Sequence, residues 1–172
     1  MLQEILGTPR CRRVVTLLLW LTVATGQAVA IATLIEELCL TTACRDTAAF
    51  TFFGIGMGWL GITYFAFMLL LLRLRRQAPL LQWALTAMIF SGIGAEFRLL
   101  WIQKYIIGSW CPFCVTICCA LFAAALLLTI EGFQKEVTGV ETGKKRLWWF
   151  VFVTMLSVIG LVVAIAGVKA LE

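Results

Sequence analysis

"CPFCVTICCALFAAALLLTI", residues 111–130, is a run of twenty residues without a single charged side chain. A helix of that length, rising about 1.5 Å per residue, crosses the ~30 Å hydrocarbon core of a bilayer. Because backbone polar groups in lipid must be satisfied within their own segment, the run predicts a transmembrane helix. The fold then depends on how many such runs the chain contains.

Similar apolar windows recur along the 172-residue chain, which is 62% hydrophobic and only 13% charged. Soluble domains carry about twice that share of charged residues. We therefore predict an all-α integral membrane protein, a four-helix bundle plus a fifth transmembrane helix. Residues 1–130 hold the bundle, 131–146 form a polar linker and 147–172 hold the fifth helix. The predicted spans are 14–35, 52–72, 80–102, 111–130 and 147–168.

The net charge of +5 follows the predicted topology. If all five segments span, ten cationic residues fall on one side of the membrane. The positive-inside rule then makes the amino terminus and the segments 73–79 and 131–146 cytoplasmic. The basic balance thus indicates orientation among membrane lipids and gives no support to nucleic-acid binding. The ten residues are Arg10, Arg12, Arg13, Arg73, Arg75, Arg76, Lys135, Lys144, Lys145 and Arg146.

Four of the seven cysteines gather at the opposite, outer face in two close pairs. Cys39 and Cys44 lie in the first outer loop, and Cys111 and Cys114 open the fourth helix. Outside a bacterial inner membrane the compartment is oxidising, and disulfides persist there. Two adjacent pairs predict thiol–disulfide exchange, although a structural disulfide between Cys39 and Cys44 is the alternative for that loop.

The motif Cys111-Pro112-Phe113-Cys114 has the chemistry that exchange requires. Proline suits the first position of a helix, which places Cys111 at the N-cap and Cys114 in the first turn. Free N–H groups and the helix dipole there favour a thiolate. The chain has no histidine and no nucleotide motif. We expect no metal site, and a lipid-soluble quinone, ubiquinone or menaquinone, is the acceptor that suits a thiol pair at membrane depth.

Several further residues are candidates for the quinone pocket. Glu96 is an ionisable group inside a span. Burying such a group in the membrane costs free energy, so those that occur usually have a function. Four glycines near the start of helix two predict either close packing on a neighbour or room for a ligand. The vicinal pair Cys118–Cys119 leaves open an alternative function as a carrier of soft metal ions. The pocket candidates are Phe53, Trp59, Glu96, Phe113, Ile117 and Cys118, and the glycines are Gly54, Gly56, Gly58 and Gly61.

Over about residues 14–130, this layout resembles the vitamin K epoxide reductase family in its bacterial form. The likeness is carried by the loop pair after helix one, by Cys-Pro-Phe-Cys at the start of helix four, and by the glycine-rich stretch 52–65. It implies that Cys39 and Cys44 are a shuttle pair and that Cys111 and Cys114 are the active-site pair, with Cys114 facing quinone.

The resemblance also implies a partner and a location. A thioredoxin-like periplasmic protein would deliver electrons, and quinone would accept them, in support of disulfide-bond formation at the bacterial inner membrane. Many bacterial members carry a thioredoxin-like domain after helix five, so the partner is either a separate protein or a domain removed from the end of this chain. Gly56 and Cys118 depart from the proline and tyrosine found in relatives, which affects the expected quinone contacts more than the relay.

Overall fold

The computed structural model describes residues 9–39, 50–136 and 144–170. In these ranges five long helices each contain a stretch long and apolar enough to cross a membrane. The predicted all-α membrane fold is confirmed. The helices are α1 (Pro9–Cys39), α2 (Met57–Leu74), α3 (Pro79–Ile102), α4 (Pro112–Glu136) and α5 (Lys144–Gly167).

Helices α1 to α4 form a closed ring, because α1 and α3 each pack against both α2 and α4. Apolar side chains fill the interior of this ring, among them Leu19, Phe65 and Leu85, which are almost completely buried. Helix α5 lies outside the ring and packs along α3. The two run parallel, since Trp83 near the start of α3 contacts Trp149 near the start of α5.

The two ends of the bundle differ in character. We call the end that holds Cys111 the cysteine end and the end that holds Arg75 the basic end. Arg75 was expected among the cytoplasmic charges, but its guanidinium is buried and lies 2.6 Å from Glu131 Oε2. It also donates to Thr16 Oγ1 at 3.5 Å. The pair links three helices, so Arg75 adds nothing to the exposed positive charge at that end.

A small antiparallel sheet caps the cysteine end, which the sequence reading did not anticipate. Strands β1 (Phe50–Phe52), β2 (Ile55–Gly56) and β3 (Val168–Ala170) pair in the order β2-β1-β3. Phe53 and Gly54 adopt φ values of 50° and 83° in the turn between β1 and β2. Because the left-handed region cannot continue a right-handed helix, α2 begins at Met57 and the start predicted at residue 52 is wrong.

The polar segment between the fourth and fifth spans begins and ends in helix. Helix α4 continues to Glu136 and α5 already begins at Lys144. Both ends of the expected linker 131–146 are therefore helical. Glu131, the first charged residue after the apolar run of α4, is buried inside the bundle and paired with Arg75.

Among the described residues, the backbones of α3 and α5 come into direct contact at two glycines. A Cβ added to Gly94 would overlap the Ser157 carbonyl, and one added to Gly160 would overlap the Ser91 carbonyl. At Gly61 of α2, by contrast, the nearest atom to an added Cβ is the Ala30 Cβ at 3.3 Å. Small residues thus bring two backbones together where α5 crosses α3.

Candidate active site

Helix α4 begins as its sequence predicts. Pro112 is the first helical residue, and the carbonyl of Cys111 accepts the first helical bond from Val115 N at 3.2 Å. Cys111 is therefore the N-cap residue, and its side chain is only 1% exposed. The side chains of Cys111 and Cys114 hydrogen-bond to each other across this first turn. The two sulfurs are thus adjacent at the cysteine end.

Gln103 organises this turn, and the sequence reading missed it. A π-helix, Gln103–Ile107, follows α3 and ends at Gly108 with φ 75°. The Gln103 side chain, 2% exposed, accepts a hydrogen bond from the Cys111 N–H at 3.3 Å and also interacts with Cys114. An N-cap N–H needs a partner when it is buried, and here a neighbouring helix supplies it.

The signal for Gln103 is its spacing from Glu96. Seven residues, close to two helical turns, separate them, so the two polar side chains lie on one face of an extended α3. The predicted span ended at residue 102, which left Gln103 in a connection and hid this relation.

An apolar cavity of about 410 Å³ lies directly beside Cys114. This volume falls within the ~300–1,000 Å³ range of small-ligand sites. Cys114, Ile117 and Glu96, all singled out from the sequence, line it, whereas Cys111 does not. Cys114 is therefore the cysteine of the pair that a ligand in the cavity meets. All five helices and the small sheet contribute to the wall.

Glu96 brings a carboxyl group into this otherwise apolar space. It is 9% exposed, and its Oε2 is buried without a hydrogen-bond partner among the described residues. The carboxyl is close enough for its charge to act on Cys114, Cys118 and Tyr64. A buried acceptor left without a hydrogen bond lowers stability. Glu96 Oε2 is therefore available to accept a hydrogen bond from a ligand in the cavity.

Tyr64 is a second residue that the sequence reading passed over. Its side chain lines the cavity, and its hydroxyl donates to the Met88 carbonyl at 2.6 Å across the α2–α3 interface. Buried tyrosine hydroxyls usually find such a partner, and an isolated tyrosine inside a span was the available signal. Tyr64 thus shapes the cavity while its own hydroxyl is already satisfied.

Four of the predicted pocket residues lie outside the cavity lining. On α2 the face that lines the cavity carries Gly58 and Gly61, and Trp59 is exposed on the outer surface. Phe53 is exposed in the β1–β2 turn. On α4 the cavity side follows Cys114, Ile117 and Leu121, so Phe113 and Cys118 point away from it. Cys118 is buried between helices, which agrees with packing as its role. Helical spacing accounts for the positions of Trp59, Phe113 and Cys118 relative to the cavity, and the β1–β2 turn accounts for that of Phe53.

Of the predicted loop pair, Cys39 lies within the described residues and Cys44 does not. The backbone of Cys39 ends α1 at the cysteine end, and Cys44 lies outside the described residues. For the metal-carrier alternative, Cys118 is buried while Cys119 is exposed, and neither lines the cavity. Within the described residues, no three histidine, cysteine or acidic side chains come together as a metal site.

The arrangement joins a dithiol to an apolar cavity that contains one carboxyl group. An adjacent pair of thiols can give up two electrons by forming a disulfide, and the cavity suits a small apolar acceptor. The comparisons add no identity to this geometry: no protein-family model matches the chain, and no curated protein is significantly similar to it.

Proposed function

We propose that this protein is a membrane thiol oxidoreductase that passes two electrons from the Cys111/Cys114 dithiol to a quinone. One observation carries the proposal: Cys114, hydrogen-bonded to Cys111, lines the same apolar cavity as the buried carboxyl of Glu96. The reaction converts the dithiol to a disulfide and the quinone to a quinol. Two electrons and two protons leave the thiols, and both are taken up by the quinone.

The polar groups around the cavity suit a quinone better than a purely apolar ligand. A quinone carries two carbonyl oxygens that accept hydrogen bonds, and its quinol donates through both. Glu96 and the Gln103 side chain are the polar lining groups beside Cys114. A few polar groups in an apolar site orient a ligand, and here they lie next to the sulfur that must reach it.

Electrons enter, in this proposal, from a thioredoxin-like protein through Cys39 and Cys44. The end of α1 supports this order, since it brings the backbone of Cys39 to the same end of the bundle as Cys111. We further propose the bacterial inner membrane with the amino terminus in the cytoplasm. Exposed Arg13, Arg73 and Arg76 at the basic end support that orientation.

The test uses purified protein in lipid nanodiscs, dithiothreitol as electron donor and a short-chain ubiquinone as acceptor. Cys111→Ala and Cys114→Ala should each abolish quinone reduction, because a single thiol cannot close the disulfide. Cys119→Ala, which removes an exposed thiol of the same helix, is the matched control and should keep full activity.

Thiol trapping followed by peptide mass spectrometry completes the test. Quinone should convert Cys111 and Cys114 from alkylated thiols to one disulfide in the wild type. Normal turnover by either alanine variant, or a Cys111/Cys114 pair that quinone leaves reduced, would refute the proposed relay.

A further inference from the structure

Two cations and two aromatic rings form a row where α3 ends and the π-helix begins. The Arg98 guanidinium carbon lies 4.6 Å from the centroid of the Trp101 ring. The ring centroids of Trp101 and Tyr105 are 5.6 Å apart, and Lys104 Nζ lies 5.3 Å from the Tyr105 ring centroid. Each contact is close enough for a cation–π or ring–ring interaction. We call these four residues the cation–aromatic row.

The row lies on the outer surface of the bundle and apart from the cavity. Trp101 and Tyr105 are 47% and 65% exposed. Lys104 is also exposed, and Arg98 is half-buried. None of these four side chains lines the cavity beside Cys114. The row is therefore a surface feature that the candidate active site does not use.

The two cations of the row have no anionic partner in the part of the chain that the structure describes. The ion pair that forms there joins Arg75 to Glu131, at the opposite end of the bundle. Glu96 is close to Arg98 in sequence, but it faces the cavity, since two residues turn a helix by about 200°. Arg98 Nε is also buried without an acceptor among the described residues. The positive charge of the row is thus left for an external anion to balance.

The row lies at the depth of the lipid headgroups. The third membrane-spanning stretch, Pro79–Ile107, has 29 residues. At 1.5 Å per residue it is about 43 Å long, so its ends extend beyond the ~30 Å hydrocarbon core. Tryptophan and tyrosine are enriched at this boundary, and long cationic side chains reach toward it. The Arg98 guanidinium follows this rule, because it contacts Trp101, three residues nearer the cysteine end.

We propose that the cation–aromatic row binds the headgroup of an anionic phospholipid. Arg98 donates to the phosphate oxygens, which its planar fork of N–H groups matches, and Lys104 adds positive charge. The exposed rings of Trp101 and Tyr105 contact the glycerol and the upper acyl chains. Charge complementarity selects this occupant, because a zwitterionic lipid brings a cation of its own to the row. The site is independent of the proposed electron transfer.

The test is native mass spectrometry of the delipidated protein in detergent, titrated with dioleoyl-phosphatidylglycerol or dioleoyl-phosphatidylcholine. The wild type should bind phosphatidylglycerol more tightly than phosphatidylcholine. Arg98→Gln and Lys104→Gln should each weaken phosphatidylglycerol binding about fivefold, because a cation beside the headgroup contributes about that factor. Lys169→Gln is the matched control, since it removes an exposed cation of β3 at the same end but outside the row, and should bind as the wild type does.

Unchanged phosphatidylcholine binding shows that each variant is folded. Equal losses in all three variants would mean a general effect of surface charge and would overturn the site. A wild type without preference for phosphatidylglycerol, or full binding by both Arg98→Gln and Lys104→Gln, overturns it as well. Inorganic phosphate is added as a competitor at the lipid concentration. It should displace no lipid, and displacement would assign the row to soluble anions and refute the lipid site.

Discussion

Two buried carboxyl groups in this bundle should respond in opposite directions to the same substitution. Glu131 is ion-paired with Arg75 at 2.6 Å, whereas Glu96 Oε2 has no hydrogen-bond partner among the described residues. An unsatisfied buried polar group costs about 1–3 kcal/mol, so replacing Glu96 with leucine, of similar volume, should raise the free energy of unfolding by about that amount. Replacing Glu131 with leucine leaves Arg75 buried without its anion and should lower it by about 3–5 kcal/mol.

The assay is reversible unfolding in mixed detergent micelles, followed by circular dichroism, with both variants beside the wild type. The same Glu96→Leu protein should lose quinone reduction, since the carboxyl is then absent from the cavity. A more stable but inactive variant would show that Glu96 is kept for its ligand at a cost in stability. If Glu96→Leu is destabilised as Glu131→Leu is, then Glu96 has a structural role and the reasoning about its unpaired oxygen fails.

Two further predictions concern the contacts that build the site. Gly160→Ala should destabilise the protein by about 1–3 kcal/mol, because the added Cβ overlaps the α3 backbone. The control is Gly132→Ala, where an added Cβ meets open space and the protein should be equally or slightly more stable. Both variants are measured by the same unfolding assay. Gln103→Leu should leave the Cys111 N–H without the Gln103 acceptor and slow quinone-driven disulfide formation, with KM for quinone changed less than kcat. Gln103→Glu restores an acceptor and should recover part of the rate. Equal rates in the wild type and both variants would contradict a positioning role for Gln103.

The helices could be predicted because their signal is strong and local. Long uncharged runs have one solution in lipid, and Pro112 placed the start of α4 to the residue. The start of α2 was missed because Phe53 and Gly54 turn the chain through a left-handed conformation inside an apolar run. Hydropathy does not report φ, so an apolar strand and an apolar helix look alike over five residues.

The site was predictable in its chemistry and less so in its geometry. Cys114, Glu96 and Ile117 were found by residue type and position, and all three line the cavity. Trp59 and Cys118 were placed there by their chemistry but point elsewhere, because a rotation of about 100° per residue decides which side chain faces inward. The contribution of α5 to the cavity lining depends on its crossing with α3. The two helices are far apart in sequence, and no local sequence pattern predicts such a contact.

Helix α3 connects the features on which the proposals rest. It packs against α2, α4 and α5, and it carries Ser91 at the α5 crossing, Glu96 in the cavity and, just beyond its end, Gln103 at the dithiol. Because one helix carries all three, the α5 crossing, the Glu96 carboxyl and the acceptor of the Cys111 N–H are fixed relative to one another. A displacement of α5 at Gly160 should therefore be felt at Cys114 through α3, even though α5 does not pack against α4 to any comparable extent. This linkage gives a physical reason to regard α5 as part of the cavity beside Cys114 and not only as a membrane anchor.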